Sequence, residues 1–245
     1  MKTEQILNNN RHRPFRMPDG KWKFYQEWHD VLFLHWPVDL AELRKFIPDE
    51  LEIELFGDVT WVSLVVFKLK NLRPAYLPGI PPISDFDEIN IRGYVKYRGK
   101  PGIYFLSIEG SKRLSCIIAK SITEMPYRHS RVNSAKNFYD SWNNEFGDRL
   151  KIKFEAGKSI PEKSLLERWL TERYALFQDT EEGKITEFNI HHCEWPLQEA
   201  GISELNVEYD RFKSLIGSQP DLYHYSPGVQ VLTWGKINHR TASPA

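Results

Sequence analysis

The chain has 245 residues, 41% of them hydrophobic, enough to bury a sizeable core in one domain. Its 33 basic and 33 acidic residues cancel, so no bulk electrostatic attraction favours nucleic acid or an anionic membrane surface. No run approaches the ~18 apolar residues of a membrane helix. The N-terminus, M-K-T-E-Q-I-L-N-N-N-R-H-R, has no apolar core for a signal peptide, and the two cysteines, Cys116 and Cys193, read as reduced thiols of a cytoplasmic protein.

Residues 1–18 are polar and proline-punctuated, and read as a flexible arm before a single domain over 19–245. Extended structure is expected at Val31 to His35. Asp39-Leu40-Ala41-Glu42 has capping-box spacing, and Leu40, Leu43, Phe46 and Ile47 follow on one helical face before Pro48 ends it. Leu51 to Phe56 and Val59 to Leu69 read as a strand pair around Gly57-Asp58. Asn71 to Asp85 carries Pro74, Pro78, Pro81 and Pro82 and must be a loop, either a pocket lid or a rigid connector.

Function is sought first between Phe86 and Ser130. Here Ile89, Ile91 and Val95 alternate with Glu88, Asn90, Arg92 and Tyr94, which puts the four polar groups in one row, roughly 7 Å between neighbours. Such a row either lines a polar pocket inside a barrel or is the solvated face of an antiparallel strand. Arg98 to Gly102 is a turn by composition. Beyond it Ile103, Tyr104, Phe105 and Leu106 are apolar on both faces, as in a strand covered on both sides. Leu114 to Met125 reads as a third strand.

Further on, Asn133 to Glu145 is expected to be a helix burying Phe138, Tyr139 and Trp142. Pro161-Glu162 opens another, with Leu165, Leu166, Trp169 and Leu170 at helical spacing. Lys184 to Cys193 and Val229 to Trp234 read as strands, while Ile202 to Ile216 fits neither pattern. Many strands with few helices favour a predominantly β, α+β barrel decorated by helices.

Several motifs fail on geometry. Gly157-Lys158-Ser159 lacks the earlier glycine of a phosphate loop, and no Gly-x-Ser-x-Gly nucleophile elbow occurs. In His191-His192-Cys193 neighbouring strand residues point to opposite faces, so the two histidines cannot share a metal ion. No cofactor is expected.

The pieces E-x-N-x-R-x-Y-V, K-P-G-I-Y-F and M-P-Y-R resemble those of the YqjF-like family of uncharacterised bacterial proteins, which is similar in fold to acetoacetate decarboxylase. L-F-x-H-W-P-V at Leu32 to Val38, L-x-E-R-Y at Leu170 to Tyr174 and H-C-E-W-P-L at His192 to Leu197 extend the resemblance over residues 22 to 235. It implies a closed antiparallel β-barrel with a few helices around it. In acetoacetate decarboxylase one lysine forms a Schiff base and a second lowers its pKa. That enzyme's Pro-Lys-Lys matches Pro126-Tyr127-Arg128 here. A phenol forms no imine and a guanidinium stays protonated, so the decarboxylase mechanism should be absent.

The resemblance places Glu88, Tyr127 and Arg128 as the candidate catalytic groups. Arg92, Asn90, Tyr94, Tyr104 and Lys120 are the candidate ligand-binding residues, although Lys120 falls on the opposite strand face from Tyr127. The expected ligand is a small organic anion, with no nucleic acid or membrane partner and homo-oligomerisation left open. Two other readings stand beside it. One is an enzyme using Glu88 and Tyr127 for acid–base chemistry on a keto or enol compound. The other is a structural or interaction protein whose barrel is filled by aromatic side chains, with Glu88 and Arg92 neutralising one another.

Overall fold

A computed structural model describes residues 2–179 and 183–240. In chain order the first half comprises α1 (Thr3–Asn8), β1 (Phe24–Val38), α2 (Leu40–Arg44), β2 (Glu52–Ile53), β3 (Thr60–Pro74), α3 (Pro81–Ser84), β4 (Phe86–Tyr97), β5 (Lys100–Gly110) and α4 (Arg113–Thr123). Then follow β6 (Tyr127–His129), β7 (Arg131–Ala135), β8 (Phe138–Trp142), β9 (Arg149–Ser159), α5 (Leu165–Thr171), β10 (Ala175–Asp179) and β11 (Lys184–His191). The last elements are β12 (Gln198–Glu208), a 3₁₀ turn at Asp210–Phe212, α6 (Lys213–Ile216), β13 (Leu222–Thr233) and β14 (Ile237–Arg240). None of the described helices is long and apolar enough to cross a membrane.

Seven strands pair in a ring: β1 with β3, β3 with β4, β4 with β5, β5 with β10, β10 with β11, β11 with β13, and β13 back to β1. All these pairs are antiparallel except β5–β10, which meets at Ile103 and Leu176. Gly102 makes that approach feasible, since a Cβ there would lie 2.7 Å from the Ala175 carbonyl oxygen. Gly228 serves β1–β13 in the same way: its φ is +126° and a Cβ would meet the Trp28 oxygen at 1.9 Å.

Alternation on the ring strands sorts their side chains. Leu32 and Leu34 of β1, Val62, Leu64 and Val66 of β3, and Ile89 and Ile91 of β4 face outward. There they pack against Tyr139 of β8, Leu150, Ile152 and Phe154 of β9, and Leu215 and Ile216 of α6. The sheet β12–β9–β8–β7 thus continues from β13 and covers the outside of the ring. The apolar row of β4 is consumed by this outer core, so the polar row must face inward.

Four expectations are corrected. Residues 114–123 belong to helix α4, not a strand: its three β-branched isoleucines and Thr123 read as strand formers, yet Ser115, Ile118, Ala119 and Ile122 sit at helical spacing on one side. Residues 133–145 hold the hairpin β7–β8 instead of a helix, turning at Asn137, whose φ of 63° an Asn tolerates. Tyr139 is buried while Trp142 is 46% exposed, a period of two disguised by the aromatic spacing. The strand pair around Gly57-Asp58 shrinks to a single bridge, Phe56 with Val59, because β2 pairs with β4. The N-terminal stretch, read as flexible, is packed: Ile6 is 1% exposed, and Arg13 donates to the Ile190 carbonyl at 2.7 Å.

Of the remaining expectations, the loop over 71–85 is shortened by the end of β3 and by α3, the helix expected from Pro161-Glu162 starts later, and the Asp39 cap matches. The Asp39 side chain caps α2 by accepting from the Glu42 amide at 3.0 Å. Helix α5 begins after Ser164, which with Glu167 forms a full capping box. Cys116 is a buried thiol outside any disulfide.

Candidate functional site

The ring encloses a cavity of about 470 Å³, within the range of small-molecule sites. Glu88, Asn90 and Arg92 of β4 point into it, each almost fully buried. Thr171 enters from the last turn of α5, Arg173 from the segment linking α5 to β10, and Tyr127 from the start of β6. Phe33, Val65, Phe67, Trp28 and Trp195 form an apolar wall, the two indoles stacked at 5.9 Å.

Tyr127 reaches the cavity because α4 stops at Glu124, a left-handed residue with φ of 62°, and Met125-Pro126 then redirects the chain alongside β5. Its hydroxyl donates to Glu88 Oε2 at 2.9 Å, and Asn90 Nδ2 donates to Glu88 Oε1 at 3.3 Å. Burial raises the Glu88 carboxyl to about 7, more than these two hydrogen bonds restore. Burial, then the neighbouring carboxylate, pushes the Tyr127 phenol well above its ordinary value, so it stays a donor. The carboxyl, raised toward neutrality, and the protonated phenol share a direct hydrogen bond, the geometry that acid–base chemistry requires.

Glu88 and Arg92 form no ion pair with each other. The Arg92 guanidinium lies 5.6 Å from the Phe33 ring centroid and donates through Nη2 to the Leu170 carbonyl at 3.4 Å. Its buried Nε has no hydrogen-bond partner among the described residues. Arg173 is anchored through Nε to the Trp169 carbonyl and through Nη1 to Glu54, both at 2.5 Å, and its buried Nη2 is likewise unpartnered. Burial pulls the Arg173 pKa down, but a guanidinium remains charged. Asn90 Oδ1 also lacks a partner. The cavity is therefore lined by two guanidinium groups, each with one buried N–H that lacks a partner, and by a carboxyl raised toward neutrality. Sequence reasoning did not single out Arg173 as a ligand-binding residue; the accessible signal was a second arginine just past a helix end.

The remaining candidates lie elsewhere. Arg128 follows Tyr127 on a strand and so points the opposite way, over the Phe146 ring at 4.3 Å and hydrogen-bonded to Ser107. It shares a separate outer pocket with Lys120, which stands on the exposed side of α4. Tyr94 is on the inward row but beyond the deep end of the cavity, where its hydroxyl donates to the Leu170 carbonyl at 2.9 Å and its ring meets Trp169 at 4.5 Å. Tyr94 thereby positions the segment that delivers Thr171 and Arg173. Tyr104 pairs with Gly93, an outward position, and its hydroxyl bonds to Asp179 at 2.6 Å.

His191 and His192 diverge as strand neighbours must: His191 bonds to the Ile6 carbonyl at 2.9 Å, while His192 faces the cavity. Burial lowers His192 to about 4, leaving a neutral ring against Trp195. Among the described residues no group of three His, Cys, Asp or Glu is arranged for a metal ion.

Solved structures share this architecture. The enduracididine biosynthesis enzyme MppR complexed with pyruvate superposes with a TM-score of 0.61 at 12% identity, over 92% of this chain and 92% of that one. An acetoacetate decarboxylase-like enzyme from Sphingomonas wittichii RW1 gives 0.60 at 12% identity, over 94% and 99%. Acetoacetate decarboxylase from Legionella pneumophila gives 0.60 at 13% identity, over 97% and 95%. At these identities the likeness concerns the fold alone. In sequence, the uncharacterized protein YqjF of Bacillus subtilis (strain 168) is 39% identical over 241 residues, 95% of this chain and 97% of that protein. Residues 25–230 match the DUF2071 family, described as "Uncharacterized conserved protein (COG2071)". The chain belongs to this family.

Proposed function

We propose that the protein binds a small organic carboxylate inside the strand ring, held by Arg92 and Arg173 with the Glu88–Tyr127 pair beside it. The observation that carries this reading is the pair of buried guanidinium groups, each with an unpartnered N–H donor, in one cavity. Arginine suits carboxylates because its donors match two oxygens at once. Support comes also from the pyruvate bound by MppR, a protein of similar fold.

Titration calorimetry with pyruvate, acetoacetate and butanoate tests it. At least one should bind, and Arg92→Met should weaken that binding roughly 10- to 100-fold, as expected for a lost hydrogen bond to a charged group. Affinity should fall as pH rises through about 7, because an ionised Glu88 would repel the anion. In Glu88→Gln the pH dependence should vanish. Failure of all three acids to bind at pH 6 would dismiss the proposal.

Schiff-base decarboxylation is not part of this reading. Among the described residues the lysine lining the cavity is Lys236, which is exposed and ion-paired with Glu124. Borohydride added with acetoacetate should leave the protein mass unchanged. A trapped adduct on any lysine would restore the imine route.

A further inference from the structure

The cavity is far larger than a three- or four-carbon acid needs, and its chemistry is divided along its length. The charged and hydrogen-bonding groups Glu88, Asn90, Arg92, Thr171 and Arg173 are all deeply buried. From them outward the lining turns apolar, through Val65, Phe67 and Leu69 of β3 to the elements that frame the opening. Those elements are α3 and α4, fastened together by the Ser115 hydroxyl on the Ile83 carbonyl at 2.7 Å and the Lys112 ammonium on the Pro81 carbonyl at 2.9 Å. Their contribution to the lining is Ile80, Ile83, Ile118, Ala119 and Ile122, together with Ser84, Ser115 and Thr123, whose hydroxyls already donate to Asp85, Ile83 and Ala119.

Ile80 and Ile122 belong to the lining and are also 59% and 50% exposed, so the opening itself is apolar. The cations near it are already engaged. Arg73 lies over the Tyr25 ring at 4.4 Å and donates to the Leu77 carbonyl, while Lys236 pairs with Glu124. The two guanidinium groups that attract an anion are therefore at the buried end, and the wall between them and solvent is mainly apolar.

Resting on the carboxylate reading above, we propose that the ligand is an amphipathic monocarboxylate with a medium-length acyl tail. Its head group enters first and meets Arg92 and Arg173. Its tail runs back along Val65, Phe67 and the α4 face to end between Ile80 and Ile122. A polar or doubly charged ligand would leave its second group against isoleucine and phenylalanine with no partner, at a cost in desolvation.

The test is calorimetry on the unmodified protein at pH 6 with the straight-chain acids from butanoate to decanoate, each below its micellar concentration. Each added methylene should tighten binding about fourfold until the tail reaches the opening, after which the gain should stop. The matching n-alcohols should bind at least tenfold more weakly than the acids. A flat series with butanoate still bound would overturn the acyl-tail inference and leave the carboxylate site standing. Alcohols binding as well as acids would overturn it too, showing adhesion to the exposed apolar rim without recognition of the head. Absence of binding at every length would remove the carboxylate site, and the tail inference with it.

Discussion

Glu88→Gln should become more stable than the parent protein as pH rises, by roughly 3 kcal/mol at pH 8. The sign follows from burial: the carboxyl is raised to about 7 in the folded protein and has its ordinary value of 4.5 when unfolded. Its protonated form is the one the fold accepts, so its favourable contribution is complete below 4.5 and is lost as pH rises through 7. Glutamine is never ionised and does not suffer that loss. It keeps an acceptor for Tyr127 and can offer its amide to Asn90 Oδ1, which has no partner in the parent chain. Urea denaturation at pH 4.5, 6 and 8 should show the two proteins nearly equal at the first and diverging through the others. A gap that does not change with pH would mean that Glu88 ionises normally, and the fall in ligand affinity expected near pH 7 would go with it.

Lys163→Met should cost about 3–5 kcal/mol, the usual penalty for stranding one partner of a buried ion pair. The Lys163 and Glu172 side chains are each only 7% exposed and bonded to one another. Glu172 also accepts from the Tyr174 hydroxyl and from the Trp195 amide, the latter at 3.0 Å. Burial alone would raise its pKa, yet the neighbouring His192 imidazole, the Lys163 ammonium and these hydrogen bonds together hold it below the usual carboxylate value. Without the ammonium, Glu172 is left ionised among apolar groups, and the gap to the parent should narrow as pH falls and the carboxyl protonates. Lys163→Met combined with Glu172→Gln should recover most of the loss. A single-variant cost below about 1 kcal/mol would show a solvated pair. Because Glu172 sits between Thr171 and Arg173, the single variant should also displace both from the cavity.

The inward row of β4 was legible because alternation is a local property, and Glu88, Asn90 and Arg92 do share the cavity. What alternation could not give is where the cavity ends, and Tyr94 lies one step past it, covered by Trp169. The same rule, applied to Tyr127 and Arg128 as strand neighbours, already separates them. Helix α4 was hidden because its β-branched residues carry strand propensity, while what decides its state is tertiary: one side of it closes over the ring. Arg173 was obscure for another reason. Its role depends on a turn after α5 and on Glu54, 119 residues away, and no local pattern encodes that meeting.

The ring joins the two ends of the fold: Phe24 of β1 pairs with Thr233 of β13, and His191 with Leu232. During synthesis β1, β3, β4 and β5 can assemble as successive neighbours, but they remain an open sheet with an unsatisfied edge at β1 until β13 emerges. The groups that gather around Glu88 are thus assembled by the last strand of the ring to leave the ribosome. So long a separation between paired strands makes folding slow, and it leaves the nascent sheet dependent on protection of that edge.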